Sequence, residues 1–186
     1  VPLINTPADR EWLMHTYYGI DRVFSLHFDR ETMHQPWREF VLQRVLGEYH
    51  AAHVVCGHDF RFGDRGAGDP EKLAELCRTE SVGCDCIPAI RVDGQTVSST
   101  LIRRLLAEGE MARAVRFLGH PHVLSGTVVS GRKLGRMIGI PTANLQLPPG
   151  VLTPRFGVYA AKACFDGQRL PAVVNIGVRR AVGGGS

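Results

Sequence analysis

Hydrophobic positions recur at helical spacing, interrupted by short apolar runs, through the first hundred or so residues. Thr6-Pro7-Ala8-Asp9 has a hydroxyl N-cap, Pro at the first helical position and an acid three residues after the cap. That order predicts a helix through Trp12, Leu13 and Met14 to Gly19. Arg22 to Leu26 reads as a strand, and Pro36-Trp37 opens a second helix carrying Phe40, Val41, Val45 and Leu46 to Gly47. His53-Val54-Val55-Cys56 reads as a buried parallel strand, followed by a polar loop from Gly57 to Asp69. Pro70 starts a third helix with Leu73, Leu76 and Cys77 on one face, and Cys84 to Ile90 reads as another strand. Alternating strands and helices predict a parallel α/β sheet.

Asp93-Gly94 is a tight-turn pair, and Ser98-Ser99-Thr100 precedes a helix with Leu101, Ile102, Leu105 and Leu106 that ends at Gly109. A short helix then sets Met111, Ala114, Val115 and Leu118 opposite Arg113 and Arg116, up to Gly119-His120-Pro121. Beyond Leu124 the helical period is lost. Leu124 to Ser130 reads as a strand, while Tyr159 to Phe165 and Leu170 to Ile176 flank an Asp166-Gly167 hairpin turn. The chain is therefore expected to divide into an α/β module, residues 1–119, and an antiparallel β module, residues 120–186, a barrel or a piece of one.

Composition narrows the class without naming a function. With 44% hydrophobic and 22% charged residues the chain reads as ordinary soluble protein, and no apolar run reaches the roughly 18–20 residues of a membrane-spanning helix. Twenty-two basic against 18 acidic residues give +4, which suits anionic small molecules and does not suggest a DNA-binding surface. The five cysteines, 56, 77, 84, 86 and 164, fit neither a disulfide framework nor a zinc knuckle, and read as small buried hydrophobes in a reducing cytoplasm. Val1 stands where a starting Met would, so the chain reads as trimmed.

Three stretches combine residues suited to ligand chemistry. Gly57-His58-Asp59-Phe60-Arg61-Phe62-Gly63 follows a strand, where open α/β sheets place their ligands. Asp59 offers an acceptor, Phe60 and Phe62 stacking faces and Arg61 a cation; alternatively this is a surface loop with an Asp–Arg pair and Phe60 or Phe62 plugged into the core. Ser98 to Arg104 places hydroxyls and Arg103 at a helix N-terminus, which favours an anion, or is a plain N-cap with a solvated arginine pair. Gly131 to Asn144 carries glycines at 131, 135 and 139, cations at Arg132, Lys133 and Arg136, then Pro141, Thr142 and Asn144. Strand interiors avoid Gly, so this is a loop whose backbone lies close to something, or a basic hairpin with Pro141 setting a turn. Thr142 and Asn144, two residues apart, supply oxygens that can hold Mg²⁺ beside a phosphate.

The ending Gly139-Ile140-Pro141-Thr142-Ala143-Asn144 resembles the signature of riboflavin kinase domains, and Val174-Asn175-Ile176-Gly177 resembles the strand that follows it there. Gly57 to Gly63 and Val97 to Arg103 resemble two motifs of flavin adenylyltransferase domains. In this order they resemble the bacterial bifunctional riboflavin kinase/FAD synthetase family. The resemblance implies a Rossmann-type, nucleotidyltransferase-like α/β module followed by a flavokinase-like antiparallel β-barrel module. It implies that Ser99, Thr100 and Arg103 hold ATP phosphates for adenylyl transfer, with Asp59, Phe60 and Arg61 on the flavin side. In the kinase it implies ATP binding by Gly131, Lys133, Gly135, Gly139, Pro141 and Asn175, and Mg²⁺ at Thr142 and Asn144. ATP, riboflavin, FMN and FAD are then substrates and products of a cytoplasmic enzyme, with no nucleic-acid or membrane partner; self-association stays open.

Two main departures and a smaller one qualify this. The family's His-x-Gly-His motif does not occur here, and its kinase glutamate, beyond the Asn-Ile-Gly motif, has no counterpart before Ser186. Arg180-Ala181 stands where the family has Pro-Thr. Both modules are thus expected to be incomplete at the outer ends, with no catalytic residue in these 186 residues and little activity from them alone. The alternatives are another nucleotidyltransferase of the same class, or a truncated, non-catalytic flavin- or nucleotide-binding protein.

Overall fold

A computed structural model describes residues 1–130 and 142–177. It divides into two compact units, one of residues 24–96 and one combining residues 1–23 with 97–186.

The 24–96 unit is built round a parallel strand pair. It begins with two short helices, α2 (Arg30–Met33) and α3 (Trp37–Glu39). A π-helical segment, Phe40–Glu48, continues directly from the second. Strand β1 (His53–Gly57) then pairs in parallel with β2 (Gly83–Ile87), and α4 (Pro70–Thr79) connects them. Asp69 caps α4 by accepting the Lys72 backbone N–H at 2.9 Å, and Pro70 fills the first turn, where no N–H is needed. Leu73, Leu76 and Cys77 of α4 bury against Val41, Cys56 and Phe62. A small hairpin, β3 (Arg91–Val92) and β4 (Gln95–Thr96), closes the unit. Its Asp93 and Gly94 both have positive φ, as a two-residue turn of right-handed twist demands.

In the other unit, α1 (Pro7–Tyr18) has the expected capping box: Thr6 Oγ1 accepts from Asp9 N at 3.0 Å, and Asp9 Oδ2 accepts from Thr6 N at 3.3 Å. Leu13 and Asp9 are buried, and Asn5 Nδ2 donates to the Val123 carbonyl at 2.9 Å. Helices α5 (Ser99–Glu108) and α6 (Met111–Leu118) pack together, burying Ile102, Leu105, Leu106, Ala114 and Phe117. Beyond them lie two antiparallel pairs, β5 (Thr127–Val129) with β6 (Asn144–Gln146), and β7 (Gly157–Phe165) with β8 (Gln168–Ile176). Asp166 and Gly167, with φ of 48° and 74°, make the turn between the longer strands. The amino-terminal segment is tied in by Leu3, whose N–H donates to Gly150 and whose carbonyl accepts from Leu152.

Several expectations need correction. Arg22 to Leu26 forms no strand; no ladder partner meets it among the described residues. The helix expected up to Gly47 is π-wound from Phe40, because apolar spacing does not separate i→i+5 from i→i+4 winding over two turns. Strand β1 is buried on one side only: Cys56 faces α4, while Val55 on the opposite face is 60% exposed. The strand read from Cys84 to Ile90 ends at Ile87, and that read from Leu124 to Ser130 is confined to Thr127–Val129. Of the cysteines, Cys56 and Cys77 are buried, but Cys86 and Cys164 are exposed.

Candidate functional site

The loop after β1 is set by its glycines and one phenylalanine. His58 N–H donates to the Ile87 carbonyl of β2 at 2.9 Å, and Phe60 N–H folds back to the Gly57 carbonyl at 3.0 Å. Gly63 has φ of 72°, and a Cβ there would collide with the Trp37 backbone. Phe62 and Gly68 exchange two backbone hydrogen bonds, at 3.3 and 2.8 Å, and a Cβ on Gly68 would meet the Phe62 ring at 2.6 Å. Phe62 is thereby driven into the core. Phe60 stays exposed and stacks on it, with ring centroids 5.1 Å apart and planes 20° from parallel. Stacked aromatics with one open face suit a planar ligand.

Between the two readings of this loop, the structure combines features of both. One Phe is plugged into the core, and the other presents a face. The acid facing Arg61 is Asp69, 3.7 Å from Nη1, rather than Asp59. Asp59 projects into solvent, its carboxylate 4.0 Å from His58 Nδ1. The Asp69 carboxyl lies below the usual carboxylate range, chiefly because it accepts the Lys72 backbone N–H, with Lys72 and Arg61 adding attraction. Asp69 was not singled out from sequence as a partner for Arg61. Its only signal was its place before Pro70, which marks a helix cap and gives no hint of the Arg61 contact.

At the start of α5, Ser98 is the N-cap: its backbone is extended and its Oγ accepts from Leu101 N at 3.2 Å. Arg103 folds back one turn, Nη1 donating to Ser99 Oγ at 3.0 Å and Nε to the Pro2 carbonyl at 2.9 Å. Ser99 and Arg103 are thus brought together, with exposed Thr100 beside them, at a helix end whose dipole favours negative charge. Pro2 was not foreseen as a partner, since nothing local links residues 101 positions apart.

Asn144 opens β6 opposite Val129, and Thr142 lies two residues before it; both are exposed. Asn175 is on a different strand pair, in β8 opposite Val158. Gly131, Lys133, Gly135, Gly139 and Pro141 lie outside the described residues. A cleft of about 430 Å³ in the 24–96 unit, between Phe24, His27, Arg44 and Tyr49, includes none of the residues singled out from sequence.

The FAD synthetase family model matches residues 2–101, more than half of the chain. The chain belongs to the FAD synthetase family. A second model, riboflavin kinase, matches residues 118–186. Among curated proteins, "Bifunctional riboflavin kinase/FMN adenylyltransferase" of Pseudomonas fluorescens is 37% identical over 166 residues, covering 89% of this chain and 53% of that protein. Proteins of the same name from Listeria monocytogenes and Escherichia coli K12 are 35% and 36% identical, covering 92% and 89% of this chain and 54% and 53% of their own length. A solved structure titled "Crystal Structure of Macrolide-efflux Protein from Streptococcus pneumoniae" superposes with a TM-score of 0.79 at 29% identity, over 94% of this chain and 55% of that one. The chain therefore spans about half the length of the relatives it matches. No helix among the described residues is long and apolar enough to cross a membrane.

Proposed function

We propose that the chain is part of an enzyme of flavin cofactor synthesis that phosphorylates riboflavin to FMN and adenylylates FMN to FAD, both from ATP. The observation that carries this reading is the order of the two family matches along one chain, FAD synthetase over residues 2–101 and riboflavin kinase over 118–186. The division proposed is residues 1–119 for adenylyl transfer and 120–186 for the kinase. The first would be a Rossmann-type nucleotidyltransferase sheet and the second a flavokinase barrel.

In adenylyl transfer an FMN phosphate oxygen attacks the α-phosphorus of ATP and pyrophosphate leaves. Ser99, Thr100 and Arg103 are proposed to hold the ATP phosphates. The Ser99–Arg103 bond at the start of α5 supports this, because the guanidinium is already turned towards the helix N-terminus. The open face of Phe60 would take the flavin ring, with Asp59 and Arg61 at its polar edge. In the kinase reaction the riboflavin 5′-hydroxyl attacks the γ-phosphorus, its proton is lost and ADP leaves. Thr142 and Asn144 would hold Mg²⁺: both are exposed neutral oxygen donors, which suits a cation that keeps several waters and takes anionic oxygens from its nucleotide. The ion would neutralise charge on the transferring phosphate. Asn175 and the glycine-rich segment, Gly131, Lys133, Gly135, Gly139 and Pro141, are proposed to position ATP. Substrates would be the partners, and the compartment the cytoplasm.

The test supplies the intact natural protein with riboflavin, ATP and Mg²⁺ and resolves the flavins by chromatography. FMN should appear first and FAD after it. Absence of FMN from an intact, folded protein would overturn the proposal. Turnover of a nucleotide without flavin binding would instead place the chain among other nucleotidyltransferases.

A further inference from the structure

Four of the five cysteines converge on the interface between β1, β2 and α4. Cys56 and Cys86 are register partners in the parallel ladder. In-register residues of parallel strands point to the same face, and neighbouring strands lie about 4.8 Å apart, inside the Cα range that a disulfide spans. They stand side by side across the ladder, and Cys86 adds to the upward push on the Cys56 thiol. Two residues earlier on the same face, Cys84 packs against the core cluster that includes Cys77 of α4. The pairs differ in access. Cys86 is exposed, Cys84 is half-buried, and Cys56 and Cys77 are buried. Burial, foremost, raises the Cys56 and Cys84 thiols above their ordinary value, with the neighbouring thiols adding to it. No group of three or more His, Cys, Asp or Glu among the described residues has the arrangement to hold a metal ion.

We propose that Cys86 and Cys56 form a peroxide-sensitive dithiol that closes to a reversible disulfide. The Cys86 thiolate attacks one peroxide oxygen; the O–O bond breaks, hydroxide leaves, and Cys86 becomes a sulfenic acid. The Cys56 thiol then attacks the Cys86 sulfur, the S–O bond breaks, and water leaves as the S–S bond forms. Two thiols and one hydrogen peroxide give one disulfide and two waters. The crosslink closes within the ladder spacing, and a dithiol reopens it by exchange. Cys56 immediately precedes Gly57, so the crosslink fastens the foot of the Gly57–Gly63 loop to β2, where His58 already bonds Ile87. The chemistry is independent of what that loop binds.

The test treats the native protein with a small excess of hydrogen peroxide, quenches in acid, alkylates under denaturing conditions and maps the peptides by mass spectrometry. Two of the five free thiols should be lost, with one linked peptide joining Cys56 to Cys86, and dithiothreitol should restore both. Cys86→Ser should abolish the linked peptide and leave Cys56 alkylated. Cys86 oxidised to sulfinic acid with Cys56 still alkylated would overturn the proposal. So would a dominant Cys77–Cys84 link, or intermolecular links through Cys86 or Cys164.

Discussion

Protonating His122 is expected to cost this protein stability. Both of its ring nitrogens are buried without a hydrogen-bond partner among the described residues. Burial, with His120 as a second cause, lowers its pKa from 6.5 to about 4, against a smaller opposing pull from Asp9. Asp9 is itself engaged, accepting from the Ser125 hydroxyl and the Thr6 N–H. Above the unfolded value His122 is neutral in both states and contributes nothing. Between 6.5 and about 4 the unfolded chain binds a proton that the folded chain refuses, so stability falls as pH falls. The loss works out at about 2 kcal/mol by about pH 5 and about 3 kcal/mol by about pH 4. Urea unfolding across this range, with the parent and His122→Leu side by side, isolates the contribution. The parent should lose that much more stability on acidification than the variant, and the His122 ring should titrate near 4 by NMR. A ring titrating near 6.5, or parallel pH profiles for the two proteins, would refute the reasoning.

Gly63→Ala places a Cβ against the Trp37 backbone at a φ of 72°, and should lower stability by about 2 kcal/mol or more in a denaturant melt. Gly94→Ala is its control: φ is also positive, but no atom lies within 4 Å, so only the conformational cost, about 1 kcal/mol, should remain. Ser98→Ala removes the α5 cap and should cost about 1 kcal/mol in the same melt, while Ser98→Gly should cost only a few tenths.

Local chemistry made much of the fold readable. Thr6-Pro7-Asp9, Asp69-Pro70 and Ser98 each start a helix because side-chain oxygens satisfy N–H groups the helix leaves open, and such contacts span only three residues. Asp93-Gly94 and Asp166-Gly167 turn their hairpins for an equally local reason, positive φ at both positions. What escaped depends on distant partners or on winding. Arg22 to Leu26 has the apolar character of a strand but gains no ladder, and Phe40 to Glu48 keeps its apolar face while changing its turn. In the candidate sites, Ser99 and Arg103 were readable from i, i+4 spacing on a helix, whereas Arg61–Asp69 required knowing how the loop folds on Phe62 and Gly68. The Cys84-x-Cys86 alternation held a signal of its own, since i and i+2 on a strand share a face, but their partners on β1 and α4 were visible only in three dimensions.

The proposed function requires two separate phosphate-handling sites, one at the start of α5 and one at Thr142 and Asn144. The most direct measurement compares FMN formation from riboflavin with FAD formation from supplied FMN, in Arg103→Ala and Asn144→Ala variants of the intact protein. Arg103→Ala should depress FAD formation at least tenfold and leave FMN formation near the parent rate, and Asn144→Ala should do the reverse, at about 1.4 kcal/mol of lost transition-state stabilisation per tenfold. If either variant, still folded, lost both activities together, or neither, the two-site account would be contradicted.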